Sequence, residues 1–227
     1  MPFDNNQNYI VARTIEQAWY DAMWCCIRNG YDYKIERGSY VGQIRRQLDH
    51  VVIRITEPWI RPLAPRLPEG LGIPPTTSDE KIEQYFYEYL LTDTKEDKED
   101  YTYSTYIHKQ IPVVIDILNK SHGNSNQACI TVGDTQSIML NDPPCLRVVD
   151  FKVVNGRLNM SVLFRSWDGY AALPENIGGL QLLKEYILMH LNFPVEDGEI
   201  ICYSSGFHIY EMYFPIVNQL NVDKIII

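Results

Sequence analysis

Positive charge is what this chain has least of: 20 lysines and arginines stand against 29 aspartates and glutamates, a formal net charge of −9 over 227 residues. That balance argues against nucleic acid as a partner, because neutralising a phosphate backbone takes a basic surface, and any anionic ligand must meet a local arginine cluster. Paired CxxC spacing is missing too. Five cysteines, an odd number, fit neither a disulfide framework nor a zinc site, which makes a reducing cytoplasm the expected setting. The N-terminus Met1-Pro2-Phe3-Asp4 starts acidic where a signal segment would be basic. Every apolar stretch is broken by charge before the roughly 20 residues of a membrane span, so no membrane partner is expected. The chain also lacks internal repeats, polar low-complexity tracts and any tryptophan between Trp59 and Trp167.

What is present is globular: 45% apolar and 22% charged residues with 16 tyrosines, a composition that supports one aromatic-rich core. A single domain over residues 1–227 is expected. Thr14 and Gln17 form a capping box before Ile15, Ala18, Trp19, Ala22, Met23, Cys26 and Ile27, which recur at helical spacing until Gly30. Residues 49–56 read as a strand, and the prolines at 58, 62, 65, 68, 74 and 75 then impose a long surface loop. Helices follow over 78–91 and from Ile111 to about Ser121, separated by a charge run, 93–100, read as a solvated loop. The second half reads as a strand 127–133, a hairpin 145–167 around Asn155-Gly156, a helix 174–192, a strand 199–207 and a last short helix. Separated helices and hairpin-connected strands make the class α+β, a mixed and mostly antiparallel sheet with helices packed on one face.

One cysteine stands apart. Cys25 and Cys26 fall inside a packed helix and Cys129 and Cys202 in apolar strands, where buried, inert thiols are the rule. Cys145 opens a strand directly after Asn141-Asp142-Pro143-Pro144, where a side chain can face a cavity. A reactive thiol needs a cation or a helix N-terminus to favour thiolate, and Arg165 on the partner strand is the candidate. A two-residue turn at Asn155-Gly156 pairs Val154 with Arg157, which makes one dry face but sets Cys145 opposite Ser166 and points Arg165 away. A three-residue connection would bring Cys145, Arg165 and Trp167 together but mix polar with apolar positions. A β-bulge near the open end satisfies both demands, and a bulge is therefore expected.

Four blocks recur in order: Pro144-Cys145, Arg165-Ser166-Trp167-Asp168, Leu173-Pro174-Glu175-Asn176-Ile177 and His208-Ile209-Tyr210. From Asp142 to Tyr210 their order and spacing resemble the active-site half of the thymidylate synthases, most of all its short archaeal-type branch. The resemblance implies that Cys145 adds to C6 of deoxyuridylate, making C5 nucleophilic toward the one-carbon unit of 5,10-methylenetetrahydrofolate, with hydride from the folate giving thymidylate and dihydrofolate. Neither metal nor flavin takes part. It further implies Arg165, Ser166 and, in the N-terminal loop, Arg37 at the 5′-phosphate. Asp168 would orient ring and folate, Asn176 would read the uracil edge, and His208 with Tyr210 would reach the sugar 3′-hydroxyl. Gly179 and the C-terminal Ile227 would border the folate, in a homodimer formed through the sheet face.

Two departures from that family pattern stand out. Its adjacent cross-dimer arginines are replaced by Ser125-Asn126-Gln127-Ala128, leaving Arg147 or Arg45 to substitute. Its paired tryptophans over the folate have no counterpart, leaving Tyr101, Tyr103 and Tyr106 to cover the site. The family's proton-relay glutamate is assigned to Glu88, whose apolar neighbours would bury it and raise its pKa, with Glu83 second. Deoxyuridylate hydroxymethylation, with water in place of hydride, and an inactive nucleotide-binding homologue are the competing readings.

Overall fold

The computed structural model describes residues 8–93 and 101–224. In chain order its elements are β1 (Tyr9–Ala12), α1 (Ile15–Asn29), β2 (Tyr31–Lys34), β3 (Ile44–Leu48), β4 (Val51–Ile55) and α2 (Asp79–Gln84). Then come α3 (Ser104–Ile107), α4 (Ile111–Ser121), β5 (Cys129–Thr131), β6 (Leu146–Val154), β7 (Arg157–Phe164) and β8 (Trp167–Asp168). The chain closes with α5 (Leu173–Met189), β9 (Glu196–Ser204), β10 (Phe207–Tyr210) and α6 (Phe214–Lys224). Among the described residues no helix is long and apolar enough to cross a membrane.

The class is α+β, built on two sheets where a single one was expected: six strands in the order β1-β4-β9-β7-β6-β5, and four in the order β2-β3-β10-β8. Both mix parallel and antiparallel pairs, the antiparallel ones in the majority. The small sheet escapes sequence reading because Ile44-Arg45-Arg46-Gln47 is polar without alternation and β8 is only two residues long. Helix α1 starts where expected, its Thr14 hydroxyl accepting from Gln17 N–H at 3.1 Å, and the Gln17 carboxamide accepts from Arg13 N–H. Its buried stripe packs against strands of both sheets. Inward residues Val51, Ile53 and Ile55 of β4, Phe151 of β6, Leu158, Met160 and Phe164 of β7, and Ile200 and Cys202 of β9 make one continuous core with it.

The β6–β7 hairpin carries the bulge. Asn155 and Gly156 hold φ of 52° and 74°, the left-handed pair that a two-residue hairpin turn requires. Val154 faces Arg157, and the register runs unbroken to Val148 opposite Leu163. Leu146 then faces Phe164, so Arg147 is the extra residue. Beyond it Cys145 lies opposite Arg165, whose backbone N–H donates to the Cys145 carbonyl at 2.8 Å. The dry face survives on both sides of the irregularity, since Leu146, Val149 and Phe164 are all fully buried.

The helix expected over 78–91 is α-helical only through Gln84; Tyr85–Leu91 continues as a π-helix. The wider turn stacks Tyr85 on Tyr89, centroids 5.4 Å apart, and lays the Tyr85 ring against α5. Glycine makes that approach possible: a Cβ on Gly179 would stand 2.4 Å from Tyr85 Cδ1, and one on Gly178 2.8 Å from Ile82 Cδ1. Gly179→Ala is therefore expected to cost about 1–3 kcal/mol by overpacking, measured as a lower urea midpoint at unchanged slope. An unchanged midpoint would show that the Tyr85 ring moves aside freely.

Candidate active site

The two sheets, the start of α5 and the π-helix enclose a cleft of about 830 Å³. Each wall has a different chemical character. Cys145, Arg165 and Ser166 come from the open end of the hairpin, Trp167 and Asp168 from β8, and Glu175 and Asn176 from the first turn of α5. His208 and Tyr210 come from β10, Arg45 and Gln47 from β3, and Arg37 from the β2–β3 loop; Tyr85, Tyr89 and Tyr103 form the aromatic side. Gln47, Tyr85, Tyr89 and Glu175 line the cleft without being expected there from the sequence; the signal for the two tyrosines is the aromatic run around Glu88 itself.

Arg165 grips the turn that carries the cysteine. Its Nε donates to Pro144 O at 3.1 Å, and its terminal nitrogen meets Asp142 Oδ1 at 3.2 Å and the Pro143 carbonyl. The Cys145 thiol is nonetheless pushed up from its ordinary pKa, because burial outweighs the pull of Arg165 and Arg45, and Asp142 adds to the burial effect. Arg165 thus acts in the expected direction, favouring thiolate, but burial outweighs it and the resting sulfur is a thiol.

Arg45 is a half-buried cation whose Nε is enclosed without a hydrogen-bond partner among the described residues. Burial lowers its pKa, Tyr210 supports its charge through a hydrogen bond, and Arg165 opposes it. Two guanidinium groups in one cleft with Arg37 at the rim make an anion-seeking wall, despite the acidic chain as a whole. Arg147 lies instead beside Gly133, away from the cleft. Ser125-Asn126-Gln127 is likewise remote from it.

His208 is 3% exposed. Its Nδ1 faces the Gly206 carbonyl at 3.0 Å, so that nitrogen bears the proton and donates. Nε2 is then a bare acceptor, buried with no partner among the described residues. Burial and the two arginines lower the ring pKa to about 4, against the opposing Gly206 hydrogen bond. The imidazole is neutral at physiological pH and waits for a donor.

Asp168 accepts from the backbone N–H groups of Tyr170 at 2.9 Å and Ala171 at 3.2 Å. Burial still raises its pKa to about 6. Asn176 donates from Nδ2 to the Tyr85 hydroxyl and accepts from Trp167 Nε1–H, both at 3.1 Å. Tyr103 lines the cleft and its hydroxyl accepts from Leu146 N–H at 3.3 Å, while Tyr101 packs behind it and Tyr106 turns to Ser137.

Comparison with known proteins agrees with this geometry. The family model described as "Thymidylate synthase" matches residues 77–224. This chain belongs to the thymidylate synthase family. Among curated relatives, a protein of Methanosarcina acetivorans named "Putative thymidylate synthase" is 30% identical over 217 residues, 93% of each chain. Proteins of the same name from Methanosarcina barkeri and Methanothermobacter marburgensis are each 28% identical, covering 92% and 91% of this chain and 92% and 94% of their own.

Three residues expected from the thymidylate synthase pattern fall outside the cleft walls. Glu88 is exposed and bonded to Gln84. The burial expected for it is not found, because Tyr85, Tyr89 and Leu90 take the inward positions of the π-helix. Glu83 is exposed as well. Gly179 is buried beneath Tyr85 and does not line the cleft. Ile227, with the rest of 225–227, lies outside the described residues, as do 94–100 of the charge run. Cys129, expected to be buried, is exposed.

The buried carboxyl carries a pH signature. Its folded pKa of about 6 lies above the ordinary 3.8, so the native state holds the extra proton and loses stability as pH rises from about 4 through 6. Asp168→Asn keeps the acceptor for both backbone N–H groups and does not titrate. The variant is expected to match the parent at pH 4 and exceed it by about 1–2 kcal/mol at pH 8, after allowance for the side open to the cleft. Chemical unfolding at the two pH values measures the difference; equal stability at both would place the carboxyl in bulk-like solvent.

Proposed function

We propose that the protein is a thymidylate synthase that converts deoxyuridylate to thymidylate with 5,10-methylenetetrahydrofolate as cosubstrate. The observation that carries this reading is the convergence on one cleft of a nucleophile, Cys145, with unfilled groups of matching polarity around it. Arg45, Arg165, Arg37 and Ser166 supply the donors that a phosphate requires. The bare Nε2 of His208 accepts from a sugar hydroxyl, with Tyr210 beside it. Asn176 keeps one lone pair and one amide hydrogen for a pyrimidine edge.

Cys145 then attacks C6 of the bound ring, and the electron pair shifts to C5 and O4, where the Asn176 amide hydrogen meets the growing charge. The Cys145 thiol gives up its proton to solvent before the addition, and the neighbouring guanidinium groups favour the thiolate against the cost of burial. The folate, when bound, supplies the one-carbon unit and the hydride. Tyr85, Tyr89 and Tyr103 offer flat faces suited to its ring system, and Asp168, protonating near neutrality, suits a ring nitrogen.

A homodimer is supported by the outer face of the large sheet. Tyr9, Val52, Tyr203, Leu163 and Val148 are successive cross-strand partners there, and Tyr9 and Tyr203 are exposed by 49% and 37%. Hydroxymethylation is the second reading, favoured by one feature: the chain has no tryptophan between Trp59 and Trp167 to cover a one-carbon site against water.

Incubation with deoxyuridylate and methylenetetrahydrofolate separates these readings by product mass and dihydrofolate absorbance. A methyl product with dihydrofolate is expected; a hydroxymethyl product supports the second reading, and no product overturns both. Cys145→Ser is expected to lower turnover by about 10³-fold or more while still binding deoxyuridylate. Full turnover in that variant would remove the cysteine from the mechanism.

A further inference from the structure

We infer that Trp167 sets which way round the Asn176 amide faces the base, and so makes this site select uracil over cytosine; the inference rests on the pyrimidine-nucleotide reading above. An asparagine amide is nearly symmetric in shape, and either orientation fits the same space. Only its hydrogen-bond partners distinguish oxygen from nitrogen. Here the two partners differ in kind. The Tyr85 hydroxyl can donate or accept and so tolerates both orientations. The Trp167 indole N–H can only donate, which obliges Oδ1 to face it, as found at 3.1 Å. Nδ2 is thereby turned to Tyr85.

The indole itself has no freedom to retreat. Trp167 is 2% exposed, stacks on Phe164 with centroids 4.4 Å apart and planes 2° from parallel, and meets Phe207 edge-on. Its backbone is paired in parallel with Phe207.

In this orientation the second hydrogen of Nδ2 meets an acceptor at C4 of the ring, and the second lone pair of Oδ1 meets a donor at N3. Uracil presents that pattern: O4 accepts and N3–H donates. Cytosine presents the reverse, an amino group at C4 and a bare N3. To bind it in the same pose the amide must turn over, which sets Nδ2–H₂ against Trp167 Nε1–H, two donors facing each other in a dry site. Leaving buried donors unpaired is costly enough to discriminate about tenfold or more.

Binding of deoxyuridylate and deoxycytidylate is measured by titration calorimetry for the parent protein, Trp167→Phe and Tyr85→Phe. The parent is expected to bind deoxyuridylate more tightly. Trp167→Phe is expected to shrink the ratio of the two Kd values about tenfold or more, while Tyr85→Phe weakens both nucleotides alike and leaves the ratio. Replacing Trp167 by 3-benzothienylalanine, which keeps the bicyclic shape without the N–H, gives the same comparison should the phenylalanine variant fail to fold. An unchanged ratio in a folded variant lacking the indole N–H overturns the inference while deoxyuridylate binding by the parent upholds the functional reading. A parent that binds neither nucleotide overturns both.

Discussion

One extra residue in a β-hairpin, Arg147, decides whether the residues of the candidate site meet. Without it the Asn155-Gly156 turn would carry its register to the open end, facing Cys145 with Ser166 and turning Arg165 to the other side. With it, the regular register is kept over the seven pairs from Val154–Arg157 to Val148–Leu163 and the last pair is re-aimed, so that Arg165 N–H donates to Cys145 O at 2.8 Å. The guanidinium then closes onto the Asp142-Pro143-Pro144 turn. Cys145, the proposed nucleophile, and the cation that tempers its ionisation are thus held by backbone pairing and not by side-chain contacts alone.

The rest of the cleft is assembled around groups left in deficit. Arg45 Nε and His208 Nε2 are buried with no partner among the described residues, Asp168 is a carboxyl pushed up to about 6, and the Cys145 thiol is raised by burial. Each is a cost to folding that a bound anion, hydroxyl or planar ring offsets. Arg45, Asp168 and His208 sit on strands of the small sheet, against which α1 packs.

Much of this was legible in the sequence, for physical reasons. The bulge followed from two conflicting demands on one hairpin, the dry face and the meeting of Cys145 with Arg165. The start of α1 followed from Thr14 and Gln17, and the cleft residues at 145, 165, 166, 168, 176, 208 and 210 from the resemblance of four blocks to the thymidylate synthases. What stayed hidden depended on tertiary contact. Strand β3 has no apolar alternation, so Arg45 was only one of two substitutes for the missing arginines. The π-helix arises where Tyr85 meets Gly179 across two elements 94 residues apart in the chain, which no local pattern announces; it turns Glu88 outward and puts Tyr85 against Asn176. Cys129 looked buried because its neighbours are apolar, but it sits on the edge strand β5.

The central claim is that the Cys145 sulfur bonds to C6 of a pyrimidine nucleotide and thereby loosens the hydrogen at C5. Release of deuterium into water from C5-deuterated deoxyuridylate, in the presence of methylenetetrahydrofolate, tests it directly. The account predicts release by the parent protein and none above background by Cys145→Ser. Equal release by the two proteins, or no release by the parent, would contradict it.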